Sequence, residues 1–284
     1  MRRGDAYSLF EKMIELASAE IVSFTKKNRL KVGHKKDRVS GITFVTACDK
    51  HLDRLLSELV KNRGLSVVSE EGKADLAALK SGNYITIDAV DGTIGYVAHA
   101  NSSASKGLNN PCIDPSLDKK NDYCLLVGIV ENGTPRFGCC FNYVTGEKIF
   151  LDSESNLYTI RTGARDRAYQ GRVVQYFEDR SKDAINKRIF EDLSVDKRFN
   201  VGAFGLRMLL VQLGNHESAV AAHFAQENGL WDILPAAVAA QFTGAVILDG
   251  NGNKLEYTKY ITIPEGVIIH SGDKFSWIGN ELKK

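Results

Sequence analysis

The chain has 284 residues, of which 43% are hydrophobic, and its formal net charge is +2 at pH 7. A chain of this length can bury a large core in one domain or two. So small a net charge favours neither a nucleic acid polymer nor an anionic membrane as the main partner. No apolar segment approaches the roughly 18 residues that a membrane-spanning helix needs, so the sequence predicts a soluble protein.

The cysteines and the first residues bear on the cellular compartment. The chain has five cysteines, an odd number without metal-ligand spacing, which favours reduced thiols. The first five residues include two arginines but are followed by no apolar segment, so no secretory signal is predicted. We therefore expect a cytoplasmic protein.

Two helices are predicted in the first 64 residues. Apolar residues recur at helical spacing over 5–28, and again after Asp49 until a stop near Gly64. A short extended segment over 42–46 precedes the second helix. Asp49 stands where this helix should begin, a position at which aspartate is most often the N-cap, although the same carboxylate can also face a metal cluster.

Acidic residues follow the next predicted strand, over 65–68. Glu70 and Glu71 come directly before Gly72. A glutamate pair before a loop is usually solvated. The strand that follows also ends in acids, and neighbouring strands of one sheet can bring both sets of carboxylates to the same edge.

That following strand carries the most informative acids of the chain. Residues 84–88 alternate as in a strand and end at Asp88, and Asp91, Gly92 and Thr93 come next. Like charges at the end of a buried strand raise each other's pKa, and a hard cation would relieve that cost. Oxygen ligands without nitrogen or sulfur select magnesium, manganese or calcium. The alternative is a surface Asp-Gly turn.

A mixed α and β pattern continues to the end of the chain. A polar segment over 101–122 is either a functional lid or mobile. Hairpin signals at 132–133 and 145–146 join three predicted strands. The predicted strands are 123–131, 134–143, 147–151, 172–177, 198–201, 216–224, 245–249 and 266–270, and the predicted helices are 182–193, 204–213 and 230–244.

Asp232 stands in the first turn of the predicted helix over 230–244. Acids favour this position because the N-terminal end of the helix dipole is positive, worth about 0.3–1 kcal/mol. Asp232 alone therefore does not establish a site.

The acidic motifs occur together in the order found in one known family. The motifs are Val45-Thr-Ala-Cys-Asp49, Glu70-Glu71, Asp88-Ala-Val-Asp91-Gly92-Thr93, Trp231-Asp232 and Gly244-Ala-Val-Ile-Leu-Asp-Gly250. Together they resemble the inositol monophosphatase family of magnesium-dependent, lithium-sensitive phosphomonoesterases, which includes bisphosphate nucleotidase relatives. The resemblance runs from about residue 5 to about residue 275.

The resemblance implies a fold and an assembly. The fold is an α+β or α/β layered αβαβα sandwich of the sugar-phosphatase type, usually in a homodimer. We expect residues 1–284 to form a single phosphatase unit, with an N-terminal metal-site half at 1–165 and a C-terminal α/β half at 166–284.

The resemblance also implies a role for each site residue. Two or three Mg²⁺ ions, with Mn²⁺ as a substitute, would be held by the carbonyl of Val90 and the carboxylates of Asp49, Glu70, Asp88, Asp91 and Asp232. Glu70 resembles the ligand that bridges toward the attacking water, and Asp49 the acid of a weaker third metal. Thr93 resembles the threonine that helps to activate the water.

The resemblance also implies substrate contacts. Gly92 and Thr93 would offer N–H groups to the phosphate. Arg207 is either a substrate contact or a solvated helix residue.

The residues after Thr93 depart from the family pattern and leave the substrate open. Inositol monophosphatases usually show Thr-Asn-Phe-Val-His there and bisphosphate nucleotidases show lysine first, whereas this chain has Ile-Gly-Tyr-Val-Ala-His at 94–99. The first hypothesis is a phosphatase acting on an inositol monophosphate or a similar small phosphate monoester. The second is a 3'(2'),5'-bisphosphate nucleotidase, slightly favoured by Gly95. The third is a catalytically silent metal-binding regulator.

Overall fold

The computed structural model describes eleven segments of the chain. They are residues 1–26, 32–35, 43–72, 75–104, 123–155, 157–161, 203–213, 219–223, 228–263, 266–271 and 275–283. None of the helices in these segments is long and apolar enough to cross a lipid bilayer. The predicted elements over 172–177, 182–193 and 198–201 and the boundary between 165 and 166 lie outside the described residues.

The described segments contain both helices and strands. The helices are α1 (Arg3–Lys26), α2 (Ala47–Lys61), α3 (Leu76–Ser81), α4 (Thr93–Ala104), α5 (Phe204–Leu213), α6 (Leu230–Thr243) and α7 (Ile278–Leu282). The strands are β1 (Val32–Lys35), β2 (Thr43–Thr46), β3 (Val67–Ser69), β4 (Tyr84–Asp91), β5 (Cys124–Glu131), β6 (Thr134–Asn142), β7 (Lys148–Asp152), β8 (Leu157–Arg161), β9 (Ala219–His223), β10 (Asn228–Gly229), β11 (Val246–Asp249), β12 (Thr262–Ile263) and β13 (Val267–Ser271).

Among the described residues, the largest sheet has six strands in the order β3-β4-β5-β6-β7-β8. Only the β3–β4 pair is parallel, and the other neighbours are antiparallel. A second sheet has the order β11-β13-β9. The predicted hairpin turn at 132–133 is confirmed, because Asn132 and Gly133 have φ angles of 52° and 75°, as the turn between twisted strands requires.

The two faces of the large sheet pack against different helices. Ile87 and Leu125 belong to a buried cluster with residues of α1 and α2. Leu126 and Cys140 face the opposite side, where they pack with α5 and α6. The second sheet covers the other side of α6, so the molecule is a layered α+β structure with a mixed sheet between helices, as the sequence predicts.

Close packing places α6 directly on the sheet. A Cβ on Gly138 would lie 3.0 Å from Cα of Pro235, and a Cβ on Gly128 would collide with the side chain of Leu234. Glycine at these two sheet positions therefore lets the helix approach. The predicted stop of this helix is confirmed, since Gly244 is the C-cap with φ 74°.

Most predicted boundaries differ from the structure by one to three residues, and two of the differences bear on the site. Helix α1 begins at Arg3 rather than Asp5, and β4 continues beyond Asp88 to Asp91. The N-cap of α2 is Thr46, so the assignment of Asp49 as N-cap was wrong. Asp49 is the third helical residue, and its carboxylate accepts from the backbone N–H of Thr46 in a capping box.

Candidate metal centre

Two acids lie at the carboxyl end of β4, in the interior of the large sheet. The exposed fraction is 2% for Asp88 and 6% for Asp91. The pairing of β4 with β5 shifts register between these two residues, as in a β-bulge. Oδ1 of Asp88 accepts a 2.9 Å hydrogen bond from the backbone N–H of Val90. The irregular strand end thus re-aims the side chains, which is a common use of bulges near functional sites.

A third acid reaches the same place from α6. One carboxylate oxygen from each of Asp88, Asp91 and Asp232 lies within 4.8 Å of the others. Asp232 is half-buried in the first turn of α6, where its Oδ2 accepts from the backbone N–H of Gly229 over 3.0 Å. These oxygens form a group that could hold a metal ion.

The electrostatics of this group favour a cation. Burial raises the pKa of Asp88 well above its usual range, and the charges of Glu70, Asp91 and Asp232 raise it further. Burial raises the pKa of Asp91 to about 6, with Glu70 adding to the effect. Burial and the charges of Asp91 and Glu70 also raise the pKa of Asp232 well above its usual range. Burial and mutual repulsion make it costly to ionise all three acids together. A divalent cation bound between them would neutralise their charges and remove this cost.

The carboxylate of Asp91 is also tied to the N-terminus of α5. Its Oδ1 accepts from the backbone N–H of Phe204 over 3.0 Å, and its Oδ2 accepts from those of Gly205 and Leu206 over 2.9 and 3.2 Å. The first turn of a helix leaves its N–H groups without intrahelical acceptors, so an anion is stabilised there. Asp91 therefore connects the acidic group to α5.

Asp49 lies in a hydrogen-bonded group with two threonines. Its Oδ2 accepts from the hydroxyl of Thr46, and its Oδ1 accepts from the hydroxyl of Thr93 over 2.8 Å. Asp49 is 4% exposed, and burial raises its pKa while the bonds from Thr46 and Thr93 lower it. The Thr93 hydroxyl also lies 3.3 Å from the carbonyl oxygen of Val90. This contact connects Asp49 to the end of β4.

Glu70 lies near the group formed by Asp88, Asp91 and Asp232. It follows β3, and its backbone N–H donates to the carbonyl of Ile87 over 3.2 Å. Its charge contributes to the raised pKa of Asp88, Asp91 and Asp232. The structure therefore brings Glu70 to the same sheet edge as these acids, as expected from the sequence.

The predicted substrate contacts lie at two helix N-termini. Gly92, with φ 87°, precedes α4, and Thr93 is its first residue. Arg207 lies in α5, but its side chain is outside what the structure describes. Its predicted role stays a prediction.

Sequence reasoning missed three contributions to the centre. Thr46 was recognisable from the Thr-x-x-Asp spacing of a capping box, which was assigned to Asp49 alone. The amides of α5 that bind Asp91 come from the other half of the chain, and no local pattern indicates them. The thiol of Cys124 lies 3.6 Å from Oδ2 of Asp91, a contact that the number and spacing of the cysteines do not indicate.

Solved structures resemble this fold along nearly its whole length. Thermotoga maritima IMPase has a TM-score of 0.63 at 18% sequence identity, and the match covers 99% of this chain and 98% of that one. An IMPase/NADP phosphatase complexed with Mg²⁺ and phosphate has a TM-score of 0.67 at 13% identity, covering 98% and 95%. CysQ from Bacteroides thetaiotaomicron has a TM-score of 0.61 at 16% identity, covering 89% and 92%.

A sequence comparison with curated proteins found no match. The family model described as the inositol monophosphatase family matches residues 6–276. That range contains every acid of the candidate centre. The chain therefore belongs to the inositol monophosphatase family, a family of phosphatases.

Proposed function

We propose that this protein hydrolyses a small-molecule phosphate monoester in a magnesium-dependent reaction, with water as the nucleophile. The observation that carries the proposal is the convergence of Asp88, Asp91 and Asp232 within 4.8 Å. The hydrogen bond between Thr93 and Asp49 supports the proposal. The Thr93 hydroxyl also contacts the carbonyl oxygen of Val90, a residue that lies between Asp88 and Asp91 in the sequence.

The cation would be held by oxygen ligands alone. Asp88, Asp91 and Asp232 are the proposed core ligands, with Glu70 and the carbonyl of Val90 completing the set and Asp49 near a weaker third position. Hard carboxylate and carbonyl oxygens suit Mg²⁺, and Mn²⁺ is a chemically reasonable substitute. When bound, the ions would neutralise the phosphoryl oxygens and lower the pKa of a coordinated water.

The residues beside the cation would orient the water. Asp49 accepts a hydrogen bond from the Thr93 hydroxyl, so the lone pairs of that hydroxyl can accept a hydrogen bond from water. Glu70 is the proposed carboxylate on the other side of this water. Together these residues hold the nucleophile and take up its proton.

The phosphate would lie at the start of α4. The backbone N–H groups of Gly92 and Thr93 stand at the N-terminus of this helix, where the dipole and unpaired amides favour an anion. Arg207 on α5 is a proposed second contact. Phosphoryl transfer depends mainly on alignment and charge neutralisation, so no side-chain nucleophile is needed.

The first substrate proposed is an inositol monophosphate or a related polyol phosphate. Ile94, directly after Thr93 at the start of α4, is 50% exposed, so its side chain is open to contact with a bound substrate. A 3'(2'),5'-bisphosphate nucleotide is the alternative, for which Gly95 in the segment after Thr93 is the supporting feature. We also propose a cytoplasmic homodimer inhibited by lithium, on the family resemblance alone.

A substrate panel tests the proposal. The purified protein should release phosphate from at least one of inositol monophosphate, a sugar phosphate, NADP and 3'-phosphoadenosine 5'-phosphate. Release should require Mg²⁺ and fall when Li⁺ is added. Mg²⁺ binding without release from any substrate would instead indicate a catalytically silent regulator.

A further inference from the structure

The thiol of Cys124 lies against the candidate metal centre. Cys124 is the first residue of β5 and is the cross-strand partner of Asp91 on β4. Its Sγ lies 3.6 Å from Oδ2 of Asp91, and the side chain is 0% exposed. An ionised carboxylate only accepts hydrogen bonds, so the thiol is the donor in this contact.

The contact completes a set of four donors around one carboxylate. Oδ1 of Asp91 accepts from the amide of Phe204, and Oδ2 accepts from the amides of Gly205 and Leu206 and from the thiol of Cys124. The three amides belong to α5, whereas the thiol belongs to the sheet that carries Asp91. Without the thiol, these three amides would hold the Asp91 carboxylate from the helix alone.

We propose that Cys124 is a positioning residue for the cation, acting through its hydrogen bond to Asp91. The inference rests on the proposed function, because it takes Asp91 as a metal ligand. The thiol contributes to binding by fixing the rotation of the Asp91 carboxylate before the cation arrives. Hydrogen-bond partners of metal ligands typically affect metal affinity by about 10- to 100-fold. A thiol is a weak donor, so the effect should lie at the low end of this range.

Packing alone is the competing explanation, since buried cysteines often act as small hydrophobic residues. Cys139 separates the two explanations. It is also 0% exposed and lies on the neighbouring strand β6, but it belongs to the cluster that faces α1 and α2. Cys139→Ala therefore removes an equally buried thiol and leaves the hydrogen bonds of Asp91 intact.

The experiment compares Mg²⁺ binding by the wild-type protein and by Cys124→Ala, Cys124→Ser and Cys139→Ala. Isothermal titration calorimetry gives the Kd for Mg²⁺. Thermal unfolding without Mg²⁺ gives the decrease in Tm caused by the loss of packing. Cys124→Ala should raise the Kd about tenfold. Cys139→Ala should leave the Kd unchanged, and Cys124→Ser should restore it to within about twofold because the hydroxyl is still a donor. Phosphate release by Cys124→Ala should recover most of its kcat at saturating Mg²⁺.

Three outcomes would overturn the inference, and only the last of them also overturns the proposed function. If the wild-type protein binds Mg²⁺ and both alanine variants bind it equally well, or if the serine variant binds as weakly as Cys124→Ala, the thiol has no positioning role and the proposed function is unaffected. If the wild-type protein binds no Mg²⁺, the proposed function and this inference fail together.

Discussion

The hydroxyl of Thr93 donates to Oδ1 of Asp49 over 2.8 Å, across 44 residues of sequence. The other oxygen of Asp49 is occupied by Thr46, which caps α2. Because the cap fixes the carboxylate in one orientation, Oδ1 is held toward Thr93. The start of α4 and the start of α2 are thus joined at the edge of the acidic group.

Replacing Thr93 tests whether this pair acts in the reaction. Thr93→Ala removes the hydroxyl proposed to orient the water, and kcat should fall by about 10²–10⁴-fold. Thr93→Ser keeps the hydroxyl and should retain most of the rate. The measurement is phosphate release at saturating Mg²⁺ and substrate, and an alanine variant as active as the serine variant would remove Thr93 from the mechanism.

Neutralising Asp232 should have opposite effects on the apo and Mg²⁺-bound protein. Asp232→Asn keeps an oxygen that can accept from Gly229 but removes a charge that raises the pKa of Asp88. Without Mg²⁺, relief of about 1 kcal/mol of repulsion would raise Tm by about 2–4 °C. At a Mg²⁺ concentration of about 100 Kd, the wild-type protein should gain about 2.7 kcal/mol, and the variant should lose most of this gain.

Glu58→Gln is the matched control for Asp232→Asn. Glu58 is exposed on α2, so the substitution makes the same change in net charge on the surface. It should alter neither the apo Tm nor the stabilisation by Mg²⁺. A loss of Mg²⁺ stabilisation in both variants would indicate a general charge effect rather than a site at Asp232.

Stability should depend on pH in a direction set by the raised carboxyl pKa values. The pKa of Asp91 is raised from 3.8 to about 6, so between these values the folded apo protein binds more protons than the unfolded chain. Its free energy of unfolding should therefore fall as pH rises from 3.8 through 6. Mg²⁺ competes with these protons, so the stabilisation it gives should be larger at pH 7.5 than at pH 5. Chemical denaturation at both pH values, with and without Mg²⁺, measures this, and an equal gain at both would contradict it.

Gly205 should be intolerant of a side chain. A Cβ there would lie 2.5 Å from the carbonyl oxygen of Asp232 and would collide with Leu126, so α5 would have to shift away from Asp91. Gly205→Ala should cost about 1–3 kcal/mol in the free energy of unfolding and weaken Mg²⁺ binding. Gly4 in α1 has no atom within 4 Å of its Cβ position, and Gly4→Ala should be neutral or stabilising. Equal effects of the two substitutions in urea denaturation would refute the close approach of α5.

The sequence predicts the parts of this site that are local. The alternation before Asp88, the glycine after Asp91 and the position of Asp232 in a helical turn each follow from short-range patterns. The convergence of Asp232 on Asp88 required the family resemblance, because it depends on the packing of α6 over the sheet. Neither route predicted that α5 binds Asp91, since the amides of any helix N-terminus look alike in sequence.

The central claim is tested most directly by the Mg²⁺ dependence of phosphate release in the wild-type protein and in Asp88→Asn, with the best substrate of the panel. Asp88 is the most deeply buried acid of the three that converge, and amide substitution keeps its shape while removing its charge. The wild-type rate should rise from background to saturation with Mg²⁺, and the variant should remain near background at every concentration. A wild-type rate independent of Mg²⁺, or a variant that reaches the wild-type rate, would contradict the assignment of a metal-dependent phosphatase centre to these acids.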